Sequence, residues 1–399
     1  MKGIGRIGGR TMGKSFIEFL KKETVLCIAI LLAAASAFLV PPDGEYVGYI
    51  DFRTLAVLFC LMCVMAGLQK LGVFGWTAGW LLGKVKGARS VVLILVLLCF
   101  FFSMLITNDV ALITFVPFTF TVLGMLGKEA GRKLALPVVA MQTIAANLGS
   151  MLTPIGNPQN LYLYGKAGLS LGAFLGLMLP YTVLSFVLLA VWALVQGGRG
   201  GGLSAGREPA GKGKIPTGKD AMEPGKVAGP LAVYGALFFL CLLAVGHILP
   251  WQAVFVIVPV AVFFMDRSVL AKVDYSLLLT FAGFFVFIGN MGRVAVFRDF
   301  LQRMITGREV YTAIVASQAI SNVPAALLLS GFTENYQALI VGTNLGGLGT
   351  LIASMASLIS YKYVAREEGG RKGEYIKIFT LGNVVFLGAL VVLEYLLGR

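Results

Sequence analysis

The stretch "NLGSMLTPIGNPQN", from Asn147 to Asn160, interrupts an apolar run that extends from about Leu134 to Tyr164. It contains three Asn, one Gln, two Pro and two Gly. The run is long enough to cross a bilayer as a helix, but Pro and Gly disfavour continuous helix at its centre. Irregular backbone at membrane depth persists only against protein or a water-filled cavity. We therefore expect a broken membrane helix whose exposed ends can bind ions.

A second copy of this stretch lies near the end of the chain. "NLGSMLTPIGNPQNLYLY", beginning at Asn147, aligns with "NLGGLGTLIASMASLISY", beginning at Asn344, with Asn, Leu, Gly, Thr, Ile and Tyr positions in register. Two further pairs of segments match in the same order, which indicates a duplicated unit. These pairs are Asp51–Phe74 with Asp274–Phe297, and "ITNDVALI" (106–113) with "ISNVPAAL" (320–327).

The composition places the chain among membrane proteins. Of its 399 residues, 58% are hydrophobic and 13% are charged, whereas about a quarter of the residues of a soluble domain are charged. The apolar residues form blocks of spanning length, so we expect an all-α polytopic membrane protein. The net charge of +14 comes from Lys and Arg in loops, where these residues indicate the side of the membrane on which each loop lies. No nucleic-acid partner is expected.

The basic loops predict the domain organisation and the orientation. We expect a cytoplasmic basic tail (1–23), an N-terminal half (24–196) with the first repeat at about 51–196, a disordered cytoplasmic linker (197–228), and a C-terminal half (229–399) with the second repeat at about 274–399. The first unit then starts outside and the second inside, which makes the repeats inverted. The N-terminus is expected in the cytoplasm and the C-terminus outside. Four Arg between Arg293 and Arg308 conflict with the positive-inside pattern.

Each repeat also contains two apolar arms joined by a polar tip. The arms of the second pair, about 310–320 and 325–332, are too short to span and predict a re-entrant hairpin. By the repeat, the longer first pair (91–106 and 110–126) is predicted to be re-entrant too, although two full spans are the alternative. Asp109 at the first tip costs roughly 2.5–3.5 kcal/mol to insert, so it should face a cavity. We expect Asp109 and its neighbours to cap the following helix, and the carboxylate to carry a proton or bind a cation.

Two broken segments and two polar tips together predict a substrate and ion site at the midplane. The single His (His247) and five Cys in apolar blocks offer no metal site, and no nucleophile–base set supports a membrane-embedded enzyme, so no catalytic residue is assigned. The candidate substrate- or ion-binding residues are Thr107, Asn108, Asp109, Asn147, Gly149, Thr153, Gly156, Asn157, Pro158, Asn160, Ser321, Asn322, Val323, Asn344, Gly346, Gly347, Gly349, Thr350 and Ser354.

At these motifs the chain resembles the ion transporter superfamily, in its branch of citrate-transporter-like proteins, divalent-anion symporters and arsenical-pump membrane proteins. "LITNDVALITFVP", the stretch after Asn147 and "SNVPAALLL" carry the likeness. The resemblance implies a scaffold domain, a transport domain with two re-entrant hairpins, elevator-type alternating access and a homodimer. Dicarboxylate symporters read Ser-Asn-Thr at both tips. Here Thr107-Asn108-Asp109 and Ser321-Asn322-Val323 keep the hydroxyl (Thr or Ser) and the Asn but change the third position, and the first tip is more similar to arsenical-pump members.

The sequence thus predicts a secondary active transporter in the cell (inner) membrane, surrounded by lipid. It would move a small anionic substrate, a carboxylate or inorganic oxyanion, coupled to H⁺ or Na⁺. No cofactor is expected apart from Na⁺ as a candidate coupling ion. The alternatives are metalloid efflux of the arsenite type or Na⁺/H⁺ antiport on the same scaffold, and a passive channel.

Overall fold

The computed structural model describes residues 23–85, 87–125, 128–200 and 224–398. Throughout these residues the regular structure is helical, as the composition predicts. The first half contains α1 Thr24–Leu39, α2 Tyr46–Tyr49, α3 Phe52–Lys70, α4 Val73–Leu82, α5 Ala88–Phe102, α6 Asn108–Met125, α7 Lys128–Ser150, α8 Pro158–Ala167 and α9 Leu171–Gly200. The second half contains α10 Pro224–Val245, α11 Trp251–Asp266, α12 Tyr275–Arg293, α13 Ala295–Ile305, α14 Glu309–Ile320, α15 Asn322–Ser330, α16 Tyr336–Leu345, α17 Met355–Glu367 and α18 Lys372–Leu397.

Six helices of this described part are long and apolar enough to cross a membrane. They are α3, α6, α9, α10, α12 and α18. Four shorter apolar helices, α1, α4, α5 and α11, accompany them. Since about 20 apolar residues in helical form span the hydrocarbon core, the chain is an integral membrane protein with several spans.

Both long apolar stretches that carry polar centres are broken, as the sequence predicts. In the first, α7 ends at Ser150 and α8 begins at Pro158, where proline suits the first helical position. In the second, α16 ends at Leu345 and α17 begins at Met355. The two breaks therefore lie at matching places in the duplicated sequence.

The helices that open the two matching segments begin in the same way. Asp51 precedes α3, and its carboxylate accepts a hydrogen bond from the Thr54 N–H at 3.0 Å. Asp274 precedes α12 and accepts from the Leu277 N–H at 2.9 Å. Their backbone angles agree closely, with φ −79° and ψ 84° at Asp51 and φ −79° and ψ 82° at Asp274. This local identity accords with the duplication inferred from the sequence.

Each matching segment also contains two helices joined by a short polar turn, α5–α6 and α14–α15. Helices α14 and α15 have 12 and 9 residues, which is too short to span. Helix α6 has 18 residues and is long enough to cross by itself, so its length does not distinguish a full span from re-entry. Re-entry of the hairpins and the inverted orientation of the repeats stay predictions.

The helices pack in two groups. In the first group α1 packs against α12, and α3 packs against α10 and α11. In the second group α7 contacts α5, α6, α9 and α18, while α16 contacts α14 and α8. Contacts of α3 with α8 and of α12 with α15 join the groups. The two tips and both breaks belong to the second group.

Two predicted segments fall largely outside the described residues: the basic tail (1–23) and the linker (197–228). Where the structure begins again, it differs from the linker prediction at both edges. Helix α9 continues through Gly200, and α10 begins at Pro224. The Gly-Gly pair at 197–198 lies close to the start of α5, because a Cβ at Gly197 would lie 2.5 Å from the Arg89 Cα. Four of the five cysteines are buried, including Cys60 and Cys63, and all five are free thiols.

Candidate substrate and ion site

Each polar tip is tied to the neighbouring break by a backbone hydrogen bond. In the first half the Asn108 N–H donates to the Gly156 carbonyl at 3.3 Å. In the second half the Asn322 N–H donates to the Ala353 carbonyl at 2.9 Å. Gly156 and Ala353 occupy equivalent positions, each nine residues beyond the aligned Asn147 and Asn344. Each tip therefore meets its break in the same way in both halves.

Asn147, at the end of α7, links the first tip to the second break. Its carboxamide oxygen accepts from the Asn108 Nδ2 at 3.0 Å and from the Ser354 hydroxyl at 3.0 Å. Its Nδ2 donates to the Gly347 carbonyl at 3.3 Å. Because all three partners are sequence-predicted site residues, the two halves are joined here by side chains from the predicted site.

Asn160 makes a second connection between the halves. Its Nδ2 donates to the Ser150 and Thr153 carbonyls, at 3.3 and 3.2 Å, and so braces the first break. Its Oδ1 accepts from the Asn344 Nδ2 at 2.7 Å. Asn157 adds a donation from Nδ2 to the Ser150 hydroxyl at 2.7 Å. The amide-rich composition of the first break thus serves to hold both breaks together.

Several polar atoms of this region are buried without a hydrogen-bond partner among the described residues. They are Asp109 Oδ1, Asn157 Oδ1, both polar atoms of Gln159, Asn344 Oδ1 and Ser357 Oγ. An unmet buried donor or acceptor costs about 1–3 kcal/mol. Native proteins retain such groups where they have another task, such as meeting a ligand, ion or water. Most of these unmet atoms are oxygens, which are the atoms that a proton or Na⁺ requires.

Asp109 lies in the wall of a cavity of about 290 Å³ between α3, the first tip and the first break. Thr107, Ile155 and Pro158 line the same cavity, and so do Lys272 and Asp274 from the turn before α12. The remaining wall comes mainly from apolar side chains of α3. Asp109 therefore faces a cavity, as expected from the cost of inserting a carboxylate.

Asparagine side chains make the capping bonds at the start of α6 and α15. The Asn108 side-chain oxygen accepts from the Asp109 N–H at 2.9 Å, and the Asn322 side-chain oxygen accepts from the Val323 N–H at 3.0 Å. Of the residues predicted to cap α6, Asn108 makes the bond, whereas α6 already begins at Asn108 and no N–H group among the described residues donates to Asp109 Oδ1. Ser321 is also not a side-chain cap of α15. Its φ of 73° is unusual for a residue with a side chain.

The second break is held by Gln318 of α14, a residue that the sequence did not single out. Its Nε2 donates to the carbonyls of Gly346 and Leu348, at 3.0 and 2.9 Å. Its Oε1 accepts from the exposed Thr350 N–H at 2.9 Å. Gly349 has φ +110°, and a Cβ there would lie 2.2 Å from Gln318 Oε1. Gly346, Gly349 and Thr350 thus shape the loop around Gln318.

Packing and hydrogen bonds describe the positions of three more predicted site residues. Gly149 packs against the backbone of α5, where a Cβ would lie 2.0 Å from the Phe100 carbonyl oxygen. The Thr153 hydroxyl donates to the Met104 carbonyl at 2.5 Å and ties the first break to the end of α5. Val323, at the position that matches Asp109, is buried. The tips therefore share the main-chain bond to their break but differ in charge and in backbone angle, because Ser321 has a positive φ and the matching Thr107 does not.

Gln159 is the clearest addition to the predicted set. It lies between Pro158 and Asn160 in the first turn of α8, is fully buried, and has neither amide atom paired. Its position in the polar "NPQN" motif was a usable signal. Gln318 and Ser357 had no comparable signal, because single Gln and Ser residues in apolar helices are ordinary.

The chain is similar to known membrane proteins, including proteins named as transporters, over most of its length. The sequence profile of the citrate transporter family matches residues 16–338. The Inner membrane protein YbiR of Escherichia coli K12 is 29% identical over 88% of this chain and 90% of its own length. The Uncharacterized transporter MJ0456 of Methanocaldococcus jannaschii is 29% identical over 86% and 88%. The Silicon efflux transporter LSI3 of Oryza sativa subsp. japonica is 29% identical over 49% of this chain and 37% of its own length.

Proposed function

Since this chain belongs to the citrate transporter family, we propose that it is a secondary active transporter of a small anion, coupled to H⁺ or Na⁺. The anion would be a carboxylate or an inorganic oxyanion. The observation that carries the proposal is the hydrogen-bonded meeting of two polar tips and two helix breaks beside the unpaired carboxylate of Asp109. We propose no enzymatic reaction for the chain.

The direction of the helices supports an anionic substrate. Helices α6, α8, α15 and α17 all begin at a tip or a break, at Asn108, Pro158, Asn322 and Met355. The first N–H groups of a helix carry partial positive charge and bind anions without a cationic side chain. The contacts among Asn108, Asn147 and Ser354 bring three of the chain segments into one cluster. Substrate recognition would rest largely on these backbone groups.

The unpaired carboxylate supports ion coupling. Asp109 Oδ1 is shielded from solvent, and no described residue hydrogen-bonds to it. A carboxylate at membrane depth is stabilised when it gains a proton or a cation. Neutralisation would also remove its repulsion of an anionic substrate in the same cavity. Loading Asp109 would therefore favour substrate binding, which is the coupling that a symporter needs.

The architecture supports alternating access. We propose that α5–α6 and α14–α15 are re-entrant hairpins of two inverted repeats, and that the helix group containing them moves against the group of α1, α3, α10, α11 and α12 in an elevator-type cycle. The protein would act in the cell (inner) membrane as a homodimer, with the N-terminus in the cytoplasm and the C-terminus outside. Cysteine accessibility labelling at residues 2 and 398 from each side tests the orientation.

Transport in reconstituted liposomes tests the proposal. Labelled citrate, succinate and sulfate would be offered under an imposed H⁺ or Na⁺ gradient, and at least one should accumulate only while a gradient is present. Asp109→Asn should abolish gradient-driven accumulation, while Asp51→Asn should retain it. Asp51 is a matched control because it lies outside the lining of this cavity, and asparagine preserves its capping of α3. Absence of gradient-dependent uptake of every anion would reject the symporter.

One observation favours a second candidate, metalloid efflux or Na⁺/H⁺ antiport. The cavity at Asp109 has two carboxylates and one lysine among its described lining residues. With two negative groups and one positive group, this lining suits an uncharged acid such as silicic acid, or a cation, as well as an anion. A relative that matches half of this chain is named a silicon efflux transporter. Everted vesicles, whose cytoplasmic face is outside, separate the candidates when arsenite or silicic acid is added to the medium. Accumulation in the lumen on imposing a proton gradient supports efflux and excludes anion uptake as the main activity.

A further inference from the structure

A second cavity, of about 460 Å³, lies where α9 and α16 begin and α18 ends. Its walls include Gly176 and Leu177 of α9, Gln337 and Val341 of α16, and Glu394 of α18. None of its lining residues belongs to the cavity at Asp109. Gly176 and Gln337 are exposed, so the cavity opens to the surface. It is therefore a separate site from the one proposed for the transported ion.

Glu394 gives this cavity its charge. Only 1% of the residue is exposed, although it is a carboxylate on a membrane-spanning helix. The Tyr181 hydroxyl of α9 donates to its Oε2, while Oε1 has no hydrogen-bond partner among the described residues. No Lys or Arg is found among the described residues that line the cavity. A buried carboxylate retained with an unmet oxygen in a membrane-spanning helix marks a candidate functional site.

The residues that line the cavity indicate which class of ligand it can bind. The one charged lining group is an acceptor, so an anion is repelled and a cation is attracted. A bare metal ion would require several oxygens in one shell, whereas the other side-chain oxygens of the lining are those of Gln337 and of Asn335, and Asn335 Oδ1 already accepts from the Ala338 N–H at 3.2 Å. A primary ammonium group can donate to a carboxylate and to the Gln337 amide oxygen, and a short alkyl body suits Leu177 and Val341.

We propose that this cavity is a binding site for a primary ammonium ion with a short apolar body, held by Glu394. The ammonium group could be carried by a soluble alkylamine or by the headgroup of an ethanolamine lipid, since both present the same donor. Binding here does not depend on the transport proposed for the Asp109 cavity.

The test uses the full-length protein in nanodiscs of phosphatidylcholine and measures its unfolding temperature against added n-butylammonium. A ligand that binds only the folded state raises this temperature in a saturable manner. Neutral n-butanol, of similar size, should have no saturable effect. In a parallel arm, phosphatidylethanolamine replaces half of the phosphatidylcholine.

Two variants and a control connect the response to the site. Glu394→Gln keeps an acceptor for Tyr181 but removes the charge, and should weaken butylammonium binding at least about tenfold. Gly176→Leu fills the cavity, because a Cβ there meets nothing within 4 Å. Gly172→Leu, on the same helix and equally unobstructed, lies outside the cavity lining and should bind as the wild type does.

Two results support the proposal and assign the source. A saturable response in phosphatidylcholine that Glu394→Gln and Gly176→Leu remove identifies a soluble amine as a sufficient ligand. A higher starting temperature in the ethanolamine-lipid discs, lost in both variants and not raised further by butylammonium, identifies the headgroup. The proposal is overturned if neither arm shows a response that depends on Glu394, or if Gly172→Leu removes the response equally.

Discussion

Replacing Asn147 by alanine should weaken the connection between the two halves of the protein. Asn147 is 4% exposed and makes three hydrogen bonds, with Asn108, Ser354 and the Gly347 carbonyl. Hydrogen bonds between membrane helices contribute about 0.6 kcal/mol on average and up to about 1.7 kcal/mol. The loss of all three should lower the free energy of unfolding by roughly 2 to 5 kcal/mol.

The assay is reversible unfolding in mixed micelles with a denaturing detergent, followed by circular dichroism. A double-mutant cycle of Asn147→Ala with Ser354→Ala isolates the bond between the halves, and its coupling energy should be about 0.6 to 1.7 kcal/mol. A coupling energy indistinguishable from zero, together with a loss of less than about 0.5 kcal/mol for Asn147→Ala, would refute the reasoning.

Asn290→Ala is the matched control for function. Asn290 is fully buried in α12, and its Nδ2 donates to the Ser36 hydroxyl at 2.9 Å and to the Tyr46 hydroxyl at 2.8 Å. This substitution also removes buried hydrogen bonds, but in the other helix group. Both variants should be destabilised, and only Asn147→Ala should lose transport per folded molecule.

Three further predictions concern single positions. Gly349→Ala should cost about 1–3 kcal/mol in detergent unfolding, because φ is +110° and Gln318 blocks the Cβ, while Gly388→Ala, which meets nothing within 4 Å, should be neutral. Gln159→Met should leave stability equal or higher, since both its buried amide atoms are unpaired, yet lower the transport rate; unchanged transport would exclude a functional role. The Arg293 side chain donates to Asp43 at 2.6 Å and holds the pKa of this carboxyl below its usual value. The stabilisation is present above about pH 4 and is lost as pH falls through the lower folded-state pKa, so the difference in unfolding temperature between wild type and Arg293→Gln should shrink below pH 4; a constant difference would contradict it.

The helix breaks and their polar residues were predictable because each leaves a mark in the sequence. Pro154 and Pro158 interrupt an apolar run, and the copy at Asn344 repeats the pattern. A duplicated pattern also predicts that equivalent residues lie in equivalent places, as Asp51 and Asp274 do. These features can be recognised from local backbone chemistry and from the similarity between the two halves of the sequence.

The partners of the site residues could not be predicted in the same way. An asparagine carboxamide accepts or donates with equal ease, so its partner depends on which helices pack together. The bond between Asn147 and Ser354 joins residues in opposite halves. Glu394 precedes "YLLGR" at the end of a helix and resembles a solvated terminal residue, although packing of α9 against α18 buries it. Such features follow from tertiary packing, which residue spacing does not encode.

The two bonds that tie Asn108 to Gly156 and Asn322 to Ala353 are made by main-chain atoms alone. A main-chain bond uses no side-chain atom, so the bond that ties each tip to its break does not require a particular residue at the position that follows it. One position can then hold an aspartate and the other a valine on the same support. Changes at Asp109 and Val323 would then alter the ion binding proposed for this site while both main-chain bonds remain, and exchanging these two residues should yield a folded protein.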